Sequence, residues 1–141
     1  MMSPLKEIYK TYIQAINDRN WALVTSFLHP TVIWNQKPYV ADEYIALITR
    51  ATDPAPDLKF HIDILLADDD ESKEGQMVSA RLLIRGTPEK EFLGFKPTGR
   101  NVEVVEHAFY RFVGGRIVEV RTVIDMEGVR DQMVETPGLV R

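Results

Sequence analysis

EFLGFKPTGRNVEVVEHAFYRFVGGRIVEVRTVIDMEGVRDQM, residues Glu91–Met133, carries the plainest structural pattern in the chain. It reads as a loop with a turn at Lys96–Arg100, a long β-hairpin bent at Val113-Gly114-Gly115, and a closing helix. Asn101–Phe112 and Arg116–Asp125 are β-branched and aromatic runs on either side of a glycine pair, which is a hairpin signal. A three-residue turn with a glycine at the left-handed position sets Phe112 opposite Arg116, so side chains of equal parity share a face. One face then carries Val104, Glu106, Ala108, Tyr110, Val118, Val120, Thr122 and Ile124, with Glu106 opposite Thr122. The other carries Glu103, Val105, His107, Phe109, Arg111, Ile117, Glu119, Arg121 and Val123, a mixture that suits water or a partner subunit. A two-residue turn at Gly114-Gly115 would set Ala108 opposite Arg121 and His107 opposite Thr122, mixing charges into both faces, so the three-residue turn is preferred. The result is an apolar wall holding one carboxylate.

Working outward, the period is also two from Leu58, with Leu58, Phe60, Ile62, Ile64 and Leu66 on one face and Lys59, His61 and Asp63 on the other. Asp68–Gly75 is a charged loop and Gln76–Arg85 the returning strand. Nearer the start, Ser3-Pro4 is a cap followed by a first-turn proline. Leu5, Ile8, Tyr9, Tyr12, Ile13 and Ile16 then form one helical stripe. Asn17–Asn20 breaks it, and Asn20 caps a second helix from Trp21 to about Leu28, stopped by His29-Pro30. Thr31–Asn35 reads as a short strand. Ala41–Ala51, with Tyr44, Ile45, Leu47 and Ile48 at helical spacing, reads as a helix ended by the prolines of Thr52–Asp57. Helices first and a strongly bent antiparallel sheet after them make the class α+β. With no repeat or linker, residues 1–141 form a single domain: a cone-shaped barrel whose mouth admits a small molecule.

Composition excludes several functions. A chain of 141 residues with 45% apolar and 27% charged residues is an ordinary globular domain. A net charge of -4 without a basic stripe argues against nucleic acid. No stretch approaches the roughly 20 apolar residues that span a membrane, and Met1–Ile8 has no signal-peptide core, so the expected compartment is the cytoplasm. There is no cysteine, hence no disulfide or thiolate chemistry. His29, His61 and His107 lie apart without ligand spacing, and Asp68-Asp69-Asp70-Glu71 lacks the pattern of a calcium loop, so no metal site is expected.

Arg85-Gly86-Thr87, Phe92-Leu93-Gly94, Pro97-Thr98-Gly99-Arg100, Gly115-Arg116-Ile117-Val118-Glu119, Asp125 and Gln132 together resemble the SnoaL-like polyketide cyclases. These belong to the nuclear transport factor 2-like superfamily, which also contains ketosteroid isomerase. The resemblance covers nearly the whole chain. It implies a cone-shaped α+β barrel, usually a homodimer, with a deep apolar pocket, no metal or redox cofactor, and proton transfer next to a carbonyl. By the same resemblance the pocket tyrosine of the isomerase branch falls on Tyr12 and its proton-shuttling aspartate on Asn35. The strand position holding a catalytic histidine in the cyclase falls on Ala108, and the cyclase's acid/base aspartate on Thr122. The tryptophan often seen before that position is Arg121, and the histidine often following the Gly-Thr pair is Pro88.

The residues themselves offer another acid/base. A carboxylate on an apolar wall loses hydration, which raises its pKa toward neutrality. Glu106 is therefore the expected general base or acid, with Tyr12 and Asn35 as hydrogen-bond donors to an enolate-like oxygen and Thr122 orienting the carboxylate. Trp34, Phe92, Ala108, Tyr110 and Val120 are expected to form the substrate-binding walls. Plainer readings stand beside these: Glu106 as one half of an ion pair with an arginine, Tyr12 as core packing, Asn35 as a turn residue, Trp34 as wall only, Asp125 as the cap of the last helix. His107 faces outward on the preferred register, but replaces Glu106 as acid/base if the turn has two residues. The expected function is a cofactor-independent isomerase or cyclase acting on a small apolar carbonyl compound, polyketide- or terpenoid-like, in secondary metabolism. The alternatives are a dehydratase or hydrolase in the same pocket, a non-catalytic small-molecule binder, or a partner-binding module using the outer face.

Overall fold

The structure is a computed structural model and describes residues 3–70 and 75–134. The Asp68–Gly75 loop therefore has positions 71–74, Glu71 among them, outside the described residues. Among the described residues four helices and six strands follow in the order α1 (Pro4–Asn17), α2 (Trp21–Ser26), β1 (Leu28–Trp34), β2 (Lys37–Val40), α3 (Ala41–Thr52), β3 (Lys59–Asp68), β4 (Gln76–Gly86), β5 (Val102–Val113), β6 (Arg116–Ile124) and α4 (Met126–Met133). One sheet runs β2-β1-β6-β5-β4-β3 and curves over the helices, so the α+β architecture is as expected. Neighbouring strands are antiparallel except β1 and β6, which pair in parallel.

The helix signals act as capping chemistry predicts. The Ser3 hydroxyl accepts from the Lys6 N–H, the Asn20 side chain from the Leu23 N–H and the Asp125 carboxylate from the Gly128 N–H, each satisfying an otherwise unpaired first-turn donor. The α1 stripe of Leu5, Tyr9, Tyr12, Ile13 and Ile16 is buried on the concave face of the sheet, with α1 running over β3 and β4 and Tyr9 and Tyr12 reaching Tyr110 of β5; Val78, Ala80, Leu82, Ile84, Val104, Ala108 and Phe112 complete the core.

Four details differ from the sequence reading. The β5–β6 turn has two residues, Gly114 and Gly115, both at positive φ (59° and 78°), with Val113 opposite Arg116. The parity expected for the upper strands nevertheless holds, because Val118 is an extra residue in β6: Phe112 pairs with Ile117, but Arg111 pairs with Glu119 and Tyr110 with Val120. The bulge moves the register by one, so Glu106 lies opposite Ile124 and Ala108 opposite Thr122, and it turns Ile117 inward to full burial. A second bulge, at Asp63, splits β3: Phe60, Ile62, Leu65 and Ala67 face inward, whereas Ile64 and Leu66 are exposed on the outer face. β1 begins at Leu28 rather than Thr31, and Pro30 fits because it falls where the ladder to β6 is interrupted and no strand N–H is needed. β2 had no counterpart in the sequence reading.

Behind the sheet, the loop after β4 is tied down by its own polar groups. The Thr87 N–H donates to Asp57 and the Glu89 N–H to the Pro54 carbonyl, while Phe92 and Phe95 bridge each other. Gln132 clamps α4 to β5, accepting from the Glu103 N–H at 2.8 Å and donating to its carbonyl at 2.7 Å. Among the described residues no helix is long and apolar enough to cross a membrane.

Candidate active site

Between α1, α3 and the concave face of the sheet lies a cavity of about 90 Å3. α1 supplies Tyr12, Ile13 and Ile16, α3 supplies Tyr44, Leu47, Ile48, Ala51 and Thr52, and the sheet supplies Trp34, Phe60, Glu106, Tyr110, Val120 and Thr122. No lysine, arginine or histidine lines it.

Glu106 is the charged group in this lining. Its immediate neighbours on the inner face are apolar: Leu82 across on β4, Ile124 across on β6, and Val104 and Ala108 along its own strand. Among the described residues its carboxyl receives no hydrogen bond and no ion pair. Loss of hydration is then uncompensated, and burial pushes its pKa from the ordinary 4.5 to about 7.

Around the carboxyl stands a cluster of tyrosines. The Tyr12 and Tyr44 hydroxyls share a buried hydrogen bond of 2.7 Å. Tyr110 stacks edge-on to Tyr12 at 5.8 Å and to Tyr9 at 4.9 Å between ring centroids. The Tyr9 hydroxyl is buried without a hydrogen-bond partner among the described residues. Burial raises the pKa of Tyr9, Tyr12, Tyr44 and Tyr110, so all four remain neutral hydrogen-bonding phenols at physiological pH.

Trp34 lines the cavity, its ring packing edge-on to Tyr44 at 6.0 Å and its indole N–H donating to Thr122 Oγ1 at 3.0 Å. Asn35 follows in a left-handed turn (φ 46°) with Gln36 (φ 72°), the paired positive φ of a two-residue hairpin. Its backbone N–H donates to the Val120 carbonyl, and its side chain exchanges hydrogen bonds with Thr122.

Of the residues singled out in the sequence, Glu106, Tyr12, Thr122, Trp34, Tyr110 and Val120 line one cavity. Five do not. Asn35 is exposed and its amide is committed to Thr122, so it is not a donor into the cavity. Ala108 is on the inner face but buried beneath the lining, and Phe92 is buried in the loop after β4. Asp125 caps α4. His107 is exposed on the outer face opposite Arg81 and Val123: the turn has two residues, but the Val118 bulge keeps His107 away from Thr122. Tyr44 and Tyr9 were visible in the sequence only as members of helical stripes. Among the described residues no group of three or more His, Asp or Glu side chains could hold a metal ion.

A search of curated proteins returns no match. Solved structures do match. A SnoaL-like polyketide cyclase from Agrobacterium tumefaciens superposes with a TM-score of 0.82 at 28% identity, covering 93% of this chain and 98% of that one. AclR from Streptomyces galilaeus, a suggested hydroxylase, gives 0.75 at 22% identity over 94% and 96% of the two chains. IdmH from Streptomyces antibioticus, a suggested polyketide cyclase, gives 0.76 at 20% identity over 92% and 98%. At those lower identities the likeness is one of fold. The sequence pattern of one family runs through residues 6–133, from the first helix to the end of α4, and on that match the chain belongs to the SnoaL-like polyketide cyclases.

Proposed function

We propose that this protein is an isomerase or cyclase that moves protons beside the carbonyl of a polyketide- or terpenoid-like intermediate, using its own side chains and no cofactor. The observation that carries this reading is Glu106, an unpartnered carboxyl in an apolar cavity whose pKa of about 7 lets it take and return a proton near neutral pH. As carboxylate, Glu106 removes a proton from the carbon next to the carbonyl. The C–H electron pair becomes a carbon–carbon π bond and the carbonyl π pair moves onto oxygen. The Tyr12–Tyr44 pair is suited to that oxygen: one hydroxyl donates to the other, and the second keeps its own proton to give. The protonated Glu106 then returns its proton to a different carbon of a conjugated enolate while the oxygen pair re-forms the carbonyl, which is isomerisation; or the enolate carbon bonds to a second carbonyl carbon, whose π pair moves onto its oxygen and takes the proton from Glu106, which is cyclisation.

A cavity of about 90 Å3 holds roughly three waters, whereas ligand pockets commonly run to ~300–1,000 Å3. The reading therefore includes a widening at α3, whose Leu47 and Ile48 are half-buried and whose Ala51 is exposed at the mouth. It also includes a homodimer formed through the outer sheet face, where Ile64, Leu66, Met77, Phe109 and Val123 are exposed.

The test is exchange of carbon-bound hydrogen for deuterium in a panel of uncharged cyclic ketones, followed by mass spectrometry in heavy water. The intact protein should accelerate exchange for at least one ring size, and Glu106→Gln should lower that rate by about 10²–10⁴-fold. Undiminished exchange in the variant would remove Glu106 from the mechanism.

A further inference from the structure

We propose that Thr122 is a hydrogen-bond donor to the substrate, with its polarity fixed by Trp34 and Asn35. A threonine hydroxyl has one proton to give and two lone pairs to offer. The Trp34 indole N–H, which can only donate, takes one lone pair at 3.0 Å. The other faces Asn35, and the backbone settles which end of that amide is presented. The Thr122 N–H can only donate, so the Asn35 atom 2.9 Å from it is the carbonyl oxygen. The NH2 end is then the one 3.4 Å from both Thr122 Oγ1 and the Thr122 carbonyl. Both lone pairs of the hydroxyl face donors. Its proton has no acceptor among the described residues, and Thr122 lines the cavity, so the proton is left for an oxygen that enters there.

The proposal rests on the cavity being a carbonyl site, and it gives that site a second donor. Glu106 pairs with Ile124 and Ala108 with Thr122, so Glu106 and Thr122 project from adjacent strands to the same face as diagonal neighbours. Such diagonal pairs lie ~7–8 Å apart, room for a carbonyl and its neighbouring carbon between donor and base. Trp34 and Asn35 are positioning residues: neither gives anything to the substrate, but together they prevent the hydroxyl from acting as an acceptor. Asn35 is fixed for this by its left-handed backbone and its N–H bond to the Val120 carbonyl, 2.9 Å. This differs from a hydroxyl that orients the carboxylate, because no hydrogen bond joins Thr122 to Glu106.

The experiment uses 4-nitrophenolate as an enolate mimic and 4-nitrotoluene as its counterpart without an oxygen anion. Binding is measured by absorbance at pH 8.5 to protein carrying Glu106→Gln, so that the carboxylate does not repel the probe. Adding Thr122→Val should weaken 4-nitrophenolate by about tenfold or more, the value of one charge-assisted hydrogen bond. It should leave 4-nitrotoluene within twofold, and Thr122→Ser should restore nitrophenolate binding. Equal nitrophenolate affinity in the valine variant would overturn the proposal, as would a parallel loss for both probes or no saturable nitrophenolate binding to the parent. In each of those cases exchange catalysed by the intact protein and lost in Glu106→Gln would still stand, so the two readings fail separately.

Discussion

Glu106→Gln should make the protein more stable, and only at neutral and alkaline pH. The carboxyl has a folded-state pKa of about 7 against an ordinary 4.5. Between those values the folded protein holds a proton that the unfolded chain has released, so stability falls as pH rises through this window and levels off above about 7. Each pKa unit corresponds to ~1.4 kcal/mol, so the full penalty at pH 8 is about 3 kcal/mol. Glutamine keeps the shape and never ionises, so the variant avoids the penalty. In a domain of this size the difference amounts to a rise of roughly 10 °C in Tm at pH 8. Below about pH 4.5 both proteins are neutral at this position and their melting curves should coincide. Urea or thermal melts of the two proteins from pH 4 to 8.5, at one protein concentration, give the difference directly. A stability difference that is the same at pH 4.5 and pH 8 would show that Glu106 titrates normally and is not held in an apolar setting.

Other residues give independent outcomes. Tyr12→Phe and Tyr44→Phe should each cost about 1 kcal/mol of stability, and the double variant should cost clearly less than the sum, since each alone strands the other's buried hydroxyl; a double-mutant cycle by urea denaturation measures it. Asp125→Ala should lose about 1 kcal/mol by removing the cap on the Gly128 N–H while leaving ketone exchange per folded molecule unchanged, which separates the cap from the site. Gly86→Ala should destabilise by about 1–3 kcal/mol in thermal melts, because the added Cβ would sit 2.7 Å from Leu58 Cδ1 and 3.0 Å from its Cα. If two copies pair through the outer sheet face, Phe109→Glu should shift sedimentation toward the monomer without altering the inner cavity.

Regular elements were legible because their signals are local. The α1 stripe, the caps at Ser3, Asn20 and Asp125, and the start and end of α4 at Met126 and Met133 all follow from spacing and from donors that need partners. Placing Glu106 on the inner face was also legible, since alternation in β5 survives any even shift of register. What escaped was set by closure of the sheet. The Val118 and Asp63 bulges bend strands whose composition is uninterrupted, and neither residue type announces an insertion. The parallel pairing of β1 with β6 joins segments more than eighty residues apart, and no local pattern encodes it. Tyr44 was readable as an apolar helix position, but its meeting with Tyr12 depends on how α3 crosses the mouth. Asn35 shows the reverse: a polar residue expected to donate into the cavity is exposed in the β1–β2 turn, with its amide bonded to Thr122.

If Glu106 is a carboxyl poised to exchange protons near neutral pH, its own titration shows it. Selective 13C labelling of glutamate, with assignment by loss of the resonance in Glu106→Gln, allows the carboxyl signal to be followed by NMR from pH 4 to 9. A midpoint near 7 is the predicted result. A midpoint near the ordinary 4.5 would mean that the carboxyl is hydrated in solution and that the acid–base role assigned to it does not hold.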